Sequence, residues 1–499
     1  MSEHRMRRVV IAGGGTAGWM AAAAIARTLG RTVDVTLVES DAIGTIGVGE
    51  STIPPLVNYN RLLGINEAEF MAATQATFKL GILFDNWKEQ GDRYFHSFGI
   101  TGKDHWSAGF QHFWLHARAR GLAGPYGDYC LELVAALREK FAHLPDDRMN
   151  YSYQLDSGLY AQFLRKMAEG DGTRRIEGKI ARVELNGESG DIAALALESG
   201  ERIEGDLFID CTGFRAVLIE GALHAGFEDW THWLPCDSAI AIQTESVAPP
   251  VPYTRVIAHD SGWRWRIPLQ HRVGNGIVYS SRYLDKDAAH QRLMGEIEGK
   301  TVTEPNFLRF VTGVRRKQWH RNCVAIGLSG GFTEPLESTS IHLIQRAVLR
   351  LIRMMPLREI SERDIAEFNE QQETDAVQIR DFLVLHYKVT DRRDSPFWRH
   401  CQSMEIPDSL AQKIELFRET GRVFRKNDEL FAENSWVQVM MGQGITPRAW
   451  HPIAEKLRDD ELAKLMTTIS DQVKHTVATL PAHGDYVAQY CGAARAAAA

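Results

Sequence analysis

Apolar and polar positions alternate in two rhythms along this chain, and the change of rhythm divides it. Val9 to Ala12 is a short apolar run that leads directly into Gly13-Gly14-Gly15-Thr16-Ala17-Gly18. An alanine-rich segment with helical spacing follows, Trp19 to Leu29, and then a second apolar run, Val33 to Glu39, which ends in an acid. This order predicts a strand–helix–strand opening. Residues 41–55 are rich in Gly and Pro and predict a loop, and Glu67 to Glu89 reads as helical. A period of two returns in Lys179 to Leu185 and Ile192 to Leu197, with Gly-containing turns between them. Asp206 to Asp210 reads as a buried strand running into Cys211-Thr212-Gly213. Trp263 to Pro268 and Gly276 to Ser281 predict a second sheet. Beyond Val324-Ala325-Ile326-Gly327 the period lengthens to about 3.6, and residues 341–483 read as mainly helical. No repeat of 20–50 residues is visible. Gly492 to Ala499 is low in complexity and predicts a disordered tail.

The glycine turn is the first chemical signal. Gly13, Gly15 and Gly18 fit GxGxxG between a strand and a helix, and Glu39 stands about 20 residues beyond Gly18. Gly13 permits the tight turn, Gly15 lets a pyrophosphate approach the backbone, and Gly18 lets helix and strand pack closely. The helix start at Thr16 and Ala17 then offers free N–H groups to phosphates, and Glu39 can accept from a ribose diol. A glycine-rich turn without a ligand is the plain alternative. Two later segments favour FAD over NAD. Asp206 to Gly213 has an apolar strand followed by glycine, and Val324 to Gly331 is a strand ending in small residues, suited to close approach at Gly327. Many FAD enzymes carry Asp at the position that Leu328 fills here, a departure from the pattern. A second complete GxGxxG with its own acid is missing from the sequence, so another protein is expected to reduce the flavin.

Composition narrows the class without naming it. With 499 residues the chain can bury a large core and form two or three structural units. Lys and Arg total 57 against 64 Asp and Glu, a net charge of −7, which argues against nucleic acid or an anionic membrane as partner. The six cysteines (Cys130, Cys211, Cys236, Cys323, Cys401, Cys491) show neither CxxC pairing nor metal-ligand spacing, and read as reduced thiols in the cytoplasm. The start lacks a signal-peptide pattern, and no run approaches the roughly 18 apolar residues of a membrane span. Metal is not expected.

Four motifs in order carry a resemblance to a family. Gly262-Trp263-Arg264-Trp265-Arg266-Ile267-Pro268 holds Trp-x-Trp-x-Ile-Pro, which resembles the signature of flavin-dependent halogenases of the tryptophan-halogenase type. Ile46-Gly47-Val48-Gly49-Glu50-Ser51-Thr52-Ile53-Pro54 looks like the family's flavin-covering loop. Phe78-Lys79-Leu80-Gly81 looks like the surroundings of its essential lysine. Glu334-Pro335-Leu336-Glu337-Ser338-Thr339 looks like its glutamate segment. The resemblance covers most of the chain, more loosely in the helical C-terminal third.

The resemblance implies an α/β fold: a Rossmann-like FAD-binding domain of the flavin monooxygenase type, with a second sheet and a mainly helical C-terminal substrate-binding region. The corresponding division is a core over 1–345, helices over 346–490 and a tail over 491–499. It also implies the chemistry. Reduced FAD and O₂ give a flavin C4a-hydroperoxide, a halide ion (chloride or bromide) attacks it, and the resulting hypohalous acid passes to Lys79, shielded from water. Lys79 would hydrogen-bond the oxidant or form a haloamine; read without the family, it is a surface lysine on an amphipathic helix. Glu337 would orient the oxidant or accept the ring proton, with a helix N-terminal cap as the alternative. The N–H groups of Thr339 and Ser340 would bind the halide, Ser340 standing where the family commonly has Gly. Val48, Gly49, Glu50, Gly327 and Leu336 join the glycine turn as FAD contacts.

On the substrate side, His96 and Phe98 resemble the family's His-x-Phe pair that lines the aromatic pocket, or else belong to a core strand. The stretch Ser435 to Gly444 lacks the tyrosine pair of tryptophan-specific members, and Trp436 there would stack on a ring or pack in the core. Indole, or a substituted indole, is therefore the expected small aromatic substrate in preference to free tryptophan. A separate NADH-dependent flavin reductase is the expected partner, and the oligomeric state stays open, a homodimer included. A flavin-dependent aromatic hydroxylase and a non-catalytic FAD-binding protein are the competing readings.

Overall fold

The computed structural model describes residues 6–44, 50–105 and 107–498. Val48 and Gly49 of the expected flavin-covering loop lie outside the described residues; Glu50 opens a short strand, Glu50–Ser51. The chain divides into two compact units, each built from three stretches of sequence. One comprises Met1–Gln75, Leu155–His232 and Phe310–Val377, the other Ala76–Gln154, Trp233–Arg309 and Gln378–Ala499.

In the first unit the strand Arg8–Ala12 lies at the middle of a six-stranded sheet. It pairs in parallel with Asp34–Glu39 on one side and Leu207–Asp210 on the other. Arg174–Glu177 and Cys323–Ala325 extend the sheet in parallel, and Trp319–His320 closes one edge antiparallel. Parallel strands buried on both faces read as continuous apolar runs, which is how Val9–Ala12 and Leu207–Ile209 appear. The helix Thr16–Leu29 packs against the helices Ser157–Gly170 and Ser340–Arg353. Its residues from Gly18 to Ala26 are all buried, which the run of small alanines permits on every side. Ile180–Leu185, Ile192–Leu197 and Arg202–Glu204 form a separate antiparallel meander, close to the alternation read from the sequence.

The second unit is organised on a seven-stranded sheet that includes Gly81–Asp85, Arg93–Ser97, Thr254–His259, Gly262–Pro268 and Val273–Tyr279. Trp263 and Trp265 are buried, two residues apart on one face, their rings 6.0 Å apart. Trp265 lies opposite Gly276, where an added Cβ would fall 2.0 Å from its indole, so the neighbouring strand makes room for the ring. Ile267 and Pro268 are buried at the strand's end.

One element corrects the sequence reading. Glu67 to Glu89 is not one helix. The helix Glu67–Thr74 stops at Gln75, which adopts a left-handed conformation (φ 54°). Two strands follow, Thr77–Lys79 and Gly81–Asp85. Phe78, Leu80, Ile82 and Phe84 alternate along them, a period of two that a helical window starting at Glu67 absorbs. The helical C-terminal region is as expected over Ser340–Arg353, Glu362–Lys388, Pro396–Ser403, Asp408–Thr420, Glu433–Gly442 and Asp459–Thr479. The helix His483–Ala498, in contrast, continues through Gly492 to Ala498, where the sequence predicts a disordered tail; alanine's high helix propensity carries it on. No helix among the described residues is long and apolar enough to cross a membrane.

Candidate active site

The glycine turn has the geometry that its spacing predicts. Gly13 has φ 105°, and a Cβ there would lie 2.3 Å from the Cys211 carbonyl oxygen. At Gly18 a Cβ would meet the Gly13 oxygen at 1.9 Å. At Gly15 it would meet nothing within 4 Å. The first two glycines hold strands and helix together, and the third leaves open space at the start of Thr16–Leu29. Gly15 is the N-cap of that helix and supplies no side-chain cap, and the first turn carries no acid. Its leading N–H groups and the positive end of its dipole therefore face that space. Gly327, from the segment after Cys323–Ala325, has φ 77°, and its Cβ would lie 2.8 Å from that of Ala17. The structure thus brings Gly327 to the glycine helix.

Glu39 ends its strand beside the same turn. Arg175 Nε lies 2.5 Å from its Oε1, and Trp19 Nε1 donates to Oε2 at 3.3 Å. A Cβ on Gly14 would fall 1.4 Å from Oε2, so the carboxylate rests on the turn itself. Gly14 and Arg175 were not visible as site residues in the sequence. Arg175 comes from a strand more than a hundred residues later, and only the pairing of Arg174–Glu177 with Asp34–Glu39 places it there. Open space, uncapped N–H groups and a ribose-reach acid fit a dinucleotide with a pyrophosphate. Asp210 has a local task. Its buried carboxylate accepts from Leu218, Ile219 and Thr212 N–H at 2.8–2.9 Å and fixes the turn after its strand.

The glutamate segment forms a short 3₁₀ turn, Pro335–Glu337, before the helix Ser340–Arg353. Leu336, Glu337 and Thr339 are wholly buried. Glu337 sits in that turn and Thr339 is the N-cap, its hydroxyl without a hydrogen-bond partner among the described residues. Ser338 is left-handed (φ 59°) between two right-handed neighbours. Such alternation turns successive N–H groups toward one point, the geometry of a small-anion nest. A cavity of about 60 Å³ is lined by both Gly327 and Ser340, with Val314, Gln318, Ile344 and Gln372 around them.

Lys79 is fully buried in the second unit, at the end of Thr77–Lys79. Its Nζ stands 5.1 Å from the centroid of the Phe98 ring, within cation–π range. The strand that carries it is clamped. Thr77 Oγ1 donates to the Pro268 carbonyl at 2.8 Å, and Gln154 Nε2 donates to Thr77 Oγ1 at 3.1 Å. Leu80 N–H reaches the Pro252 carbonyl at 2.8 Å. The Trp-x-Trp-x-Ile-Pro strand therefore ends on the carbonyl that fixes the lysine strand. His483 Nε2 accepts the Phe78 N–H at 3.2 Å, so Nδ1 carries the proton given to Pro250 O at 2.7 Å. Burial holds His483 neutral, its pKa lowered to about 4. Thr77, Gln154 and His483 have no local sequence signal, since their partners lie far along the chain.

His96 is buried on Arg93–Ser97, its ring 5.4 Å from Phe382 and 6.0 Å from Phe431. Phe98 is half-buried. Trp436 belongs to the same aromatic cluster: Phe382 meets it edge-on at 4.9 Å and Lys413 Nζ stands 3.8 Å above its ring. Its indole N–H donates to Glu429 at 3.0 Å, so protein groups already surround it.

A parallel sheet with a glycine helix start open to phosphate defines a Rossmann-like dinucleotide-binding class, to which this chain adds a buried amine on a separate sheet. The family described as tryptophan halogenase matches residues 8–459. The chain is 60% identical to a flavin-dependent halogenase from Xanthomonas campestris (TM-score 0.96), over 98% of this chain and 99% of that one. It is 42% identical to BrvH, a flavin-dependent halogenase from a Brevundimonas species (TM-score 0.93), covering 97% and 99%. The tryptophan 7-halogenase RebH of Lentzea aerocolonigenes is 32% identical, over 98% of this chain and 99% of its own length. The chain belongs to the tryptophan halogenase family, the flavin-dependent halogenases, and has their Rossmann-like FAD-binding fold.

Proposed function

We propose that the chain halogenates an electron-rich aromatic such as indole with chloride or bromide, using reduced FAD from a separate NADH-dependent reductase. When bound, reduced FAD supplies, with dioxygen and halide, a hypohalous oxidant. Gly13, Gly15, Thr16, Ala17, Gly18, Glu39, Gly327 and Leu336 hold the cofactor, and the N–H groups of Thr339 and Ser340 hold the halide. Lys79 takes the oxidant, either by hydrogen bonding hypohalous acid or by replacing an N–H with N–halogen and releasing water. Glu337 orients the oxidant and accepts the proton that leaves the ring. The observation that carries this reading is a fully buried lysine on a clamped strand, in cation–π contact with Phe98. Full burial is rare for lysine and sets Lys79 apart from an ordinary surface lysine.

Indole is favoured over free tryptophan because Ser435 to Gly444 holds no tyrosine. Identity is also lower to the tryptophan halogenases RebH and SttH, 32% and 34%, than to the two flavin-dependent halogenases above. His96 and Phe98 supply the aromatic wall, with Trp436 behind them. Six free cysteines suit a reducing cytoplasm. The test is Lys79→Ala: halogenated product should vanish while FAD binding is kept and hydrogen peroxide is released. Product formation at the wild-type rate would overturn the assignment. NADH consumption by the purified chain alone would remove the reductase.

A further inference from the structure

Glu132 is a buried carboxyl in the first turn of the helix Leu131–Leu137, 3% exposed, and no cation pairs with it among the described residues. Its Oε1 accepts the Asn150 N–H at 2.8 Å. Its Oε2 lies against Gly99, where an added Cβ would fall only 1.7 Å away, so residue 99 is glycine because this carboxyl occupies the space of a side chain. The Cys130 thiol is 3.8 Å from Oε2 and 3.2 Å from Ser97 Oγ, which in turn accepts the Gly99 N–H at 2.9 Å.

The segment held in this way runs from Ser97 to Thr101 and carries Phe98. Its other side is fixed by amides of the helix Glu433–Gly442. Gln438 accepts from Ser97 N–H at 2.7 Å, and Asn434 bonds the Gly99 carbonyl at 2.7 Å and the Thr101 N–H at 3.1 Å. All these partners are neutral. The titratable group facing Glu132 is the Cys130 thiol, pushed up to about 12 by burial and by the carboxylate's charge. Burial, opposed by the Asn150 N–H, raises Glu132 to about 7.

We propose that Glu132 is a positioning residue of the halogenation site: its buried carboxyl, seated against Gly99, holds the Ser97–Thr101 segment and so keeps the Phe98 ring against the Lys79 amine. This rests on reading Lys79 as the oxidant-carrying amine. Ionisation places a charge without a cation in a dry site, and water entering between Glu132 and Gly99 relieves it, releasing Phe98.

The experiment measures kcat for indole bromination with chemically reduced FAD, from about pH 6 to about pH 9, beside the carboxylic-acid C=O infrared band. Wild-type kcat should fall roughly tenfold along a limb centred near neutrality, and the infrared band should fade at the same midpoint. Glu132→Gln, an isostere of the neutral acid, should lack that band and that limb while keeping the low-pH rate within about threefold. Gly99→Ala, which displaces the carboxyl, should lower kcat roughly tenfold at low pH with FAD affinity unchanged. A limb of the same midpoint in Glu132→Gln, or a carboxyl already ionised at the low end, overturns the proposal. Lys79→Ala reports on the amine alone. If it still halogenates, the reading of Lys79 falls and the assignment of Glu132 with it; if product is lost in Lys79→Ala but Glu132→Gln keeps the limb, only the assignment of Glu132 falls.

Discussion

At the scale of single residues, glycines in one motif differ in what they permit, and substitutions should separate them. Gly13 has both a positive φ and the Cys211 carbonyl against it, whereas Gly15 faces open space. Gly15→Val should therefore leave the thermal midpoint within about 2 °C, and weaken FAD binding at least tenfold, about 1.4 kcal/mol. Gly13→Ala should lower the midpoint itself. Calorimetry and FAD titration check both, and equal effects at the two positions would contradict the division. Much at this scale was legible: Gly13, Gly15, Gly18 and Glu39 are local to one strand–helix–strand unit. Arg175 was not, because it reaches Glu39 from a strand formed far downstream. Glu337 and Thr339 were expected in a helix start, and the left-handed Ser338 between them could not be read, since serine has no preference for that conformation.

Elements show why the lysine was harder to place than to find. Phe78-Lys79-Leu80-Gly81 singles out the residue, but a helical window from Glu67 covers its setting, and the alternation that makes it a strand is only a few residues long. What holds that strand comes from Pro268, Gln154, Pro252 and His483, none near in sequence. Thr77→Val keeps shape and removes the hydroxyl, leaving the Pro268 carbonyl short of a donor. It should cost about 1–2 kcal/mol in urea unfolding and lower kcat more than it changes the KM for indole. His483 gives a signed pH dependence. Its folded pKa of about 4 lies below the usual histidine value, so its contribution is present above the unfolded pKa and is lost as pH falls toward 4. The loss is of order 3 kcal/mol for this fully buried ring. His483→Phe should be less stable at neutral pH, because Phe78 N–H loses its acceptor, and should lose less on acidification. An unchanged slope between about pH 6.5 and about pH 4 would show that the ring is not the titrating group.

For the whole molecule, two compact units each draw on three separated stretches of chain, so within each unit residues far apart in sequence are brought together by tertiary structure. Parallel sheet, second sheet and helical C-terminal region were all foreseeable, because long apolar runs and long helical periods declare themselves. The discontinuous division was not, since composition changes little where the chain passes between units. The unpaired charge of Glu132 adds a term at this scale. A carboxyl raised to about 7 costs stability progressively as pH rises from the unfolded carboxylate range through neutrality. Glu132→Gln should thus be more stable than wild type by about 1–3 kcal/mol at about pH 8, and nearly equal to it near pH 4, in urea midpoints. The most direct test of the central claim is mass spectrometry of indole incubated with the purified chain, reduced FAD, air and bromide. The account predicts product carrying bromine in place of one ring hydrogen, with the paired isotope peaks of bromine, and none from Lys79→Ala. A product bearing only an added oxygen, or unchanged indole, would contradict it.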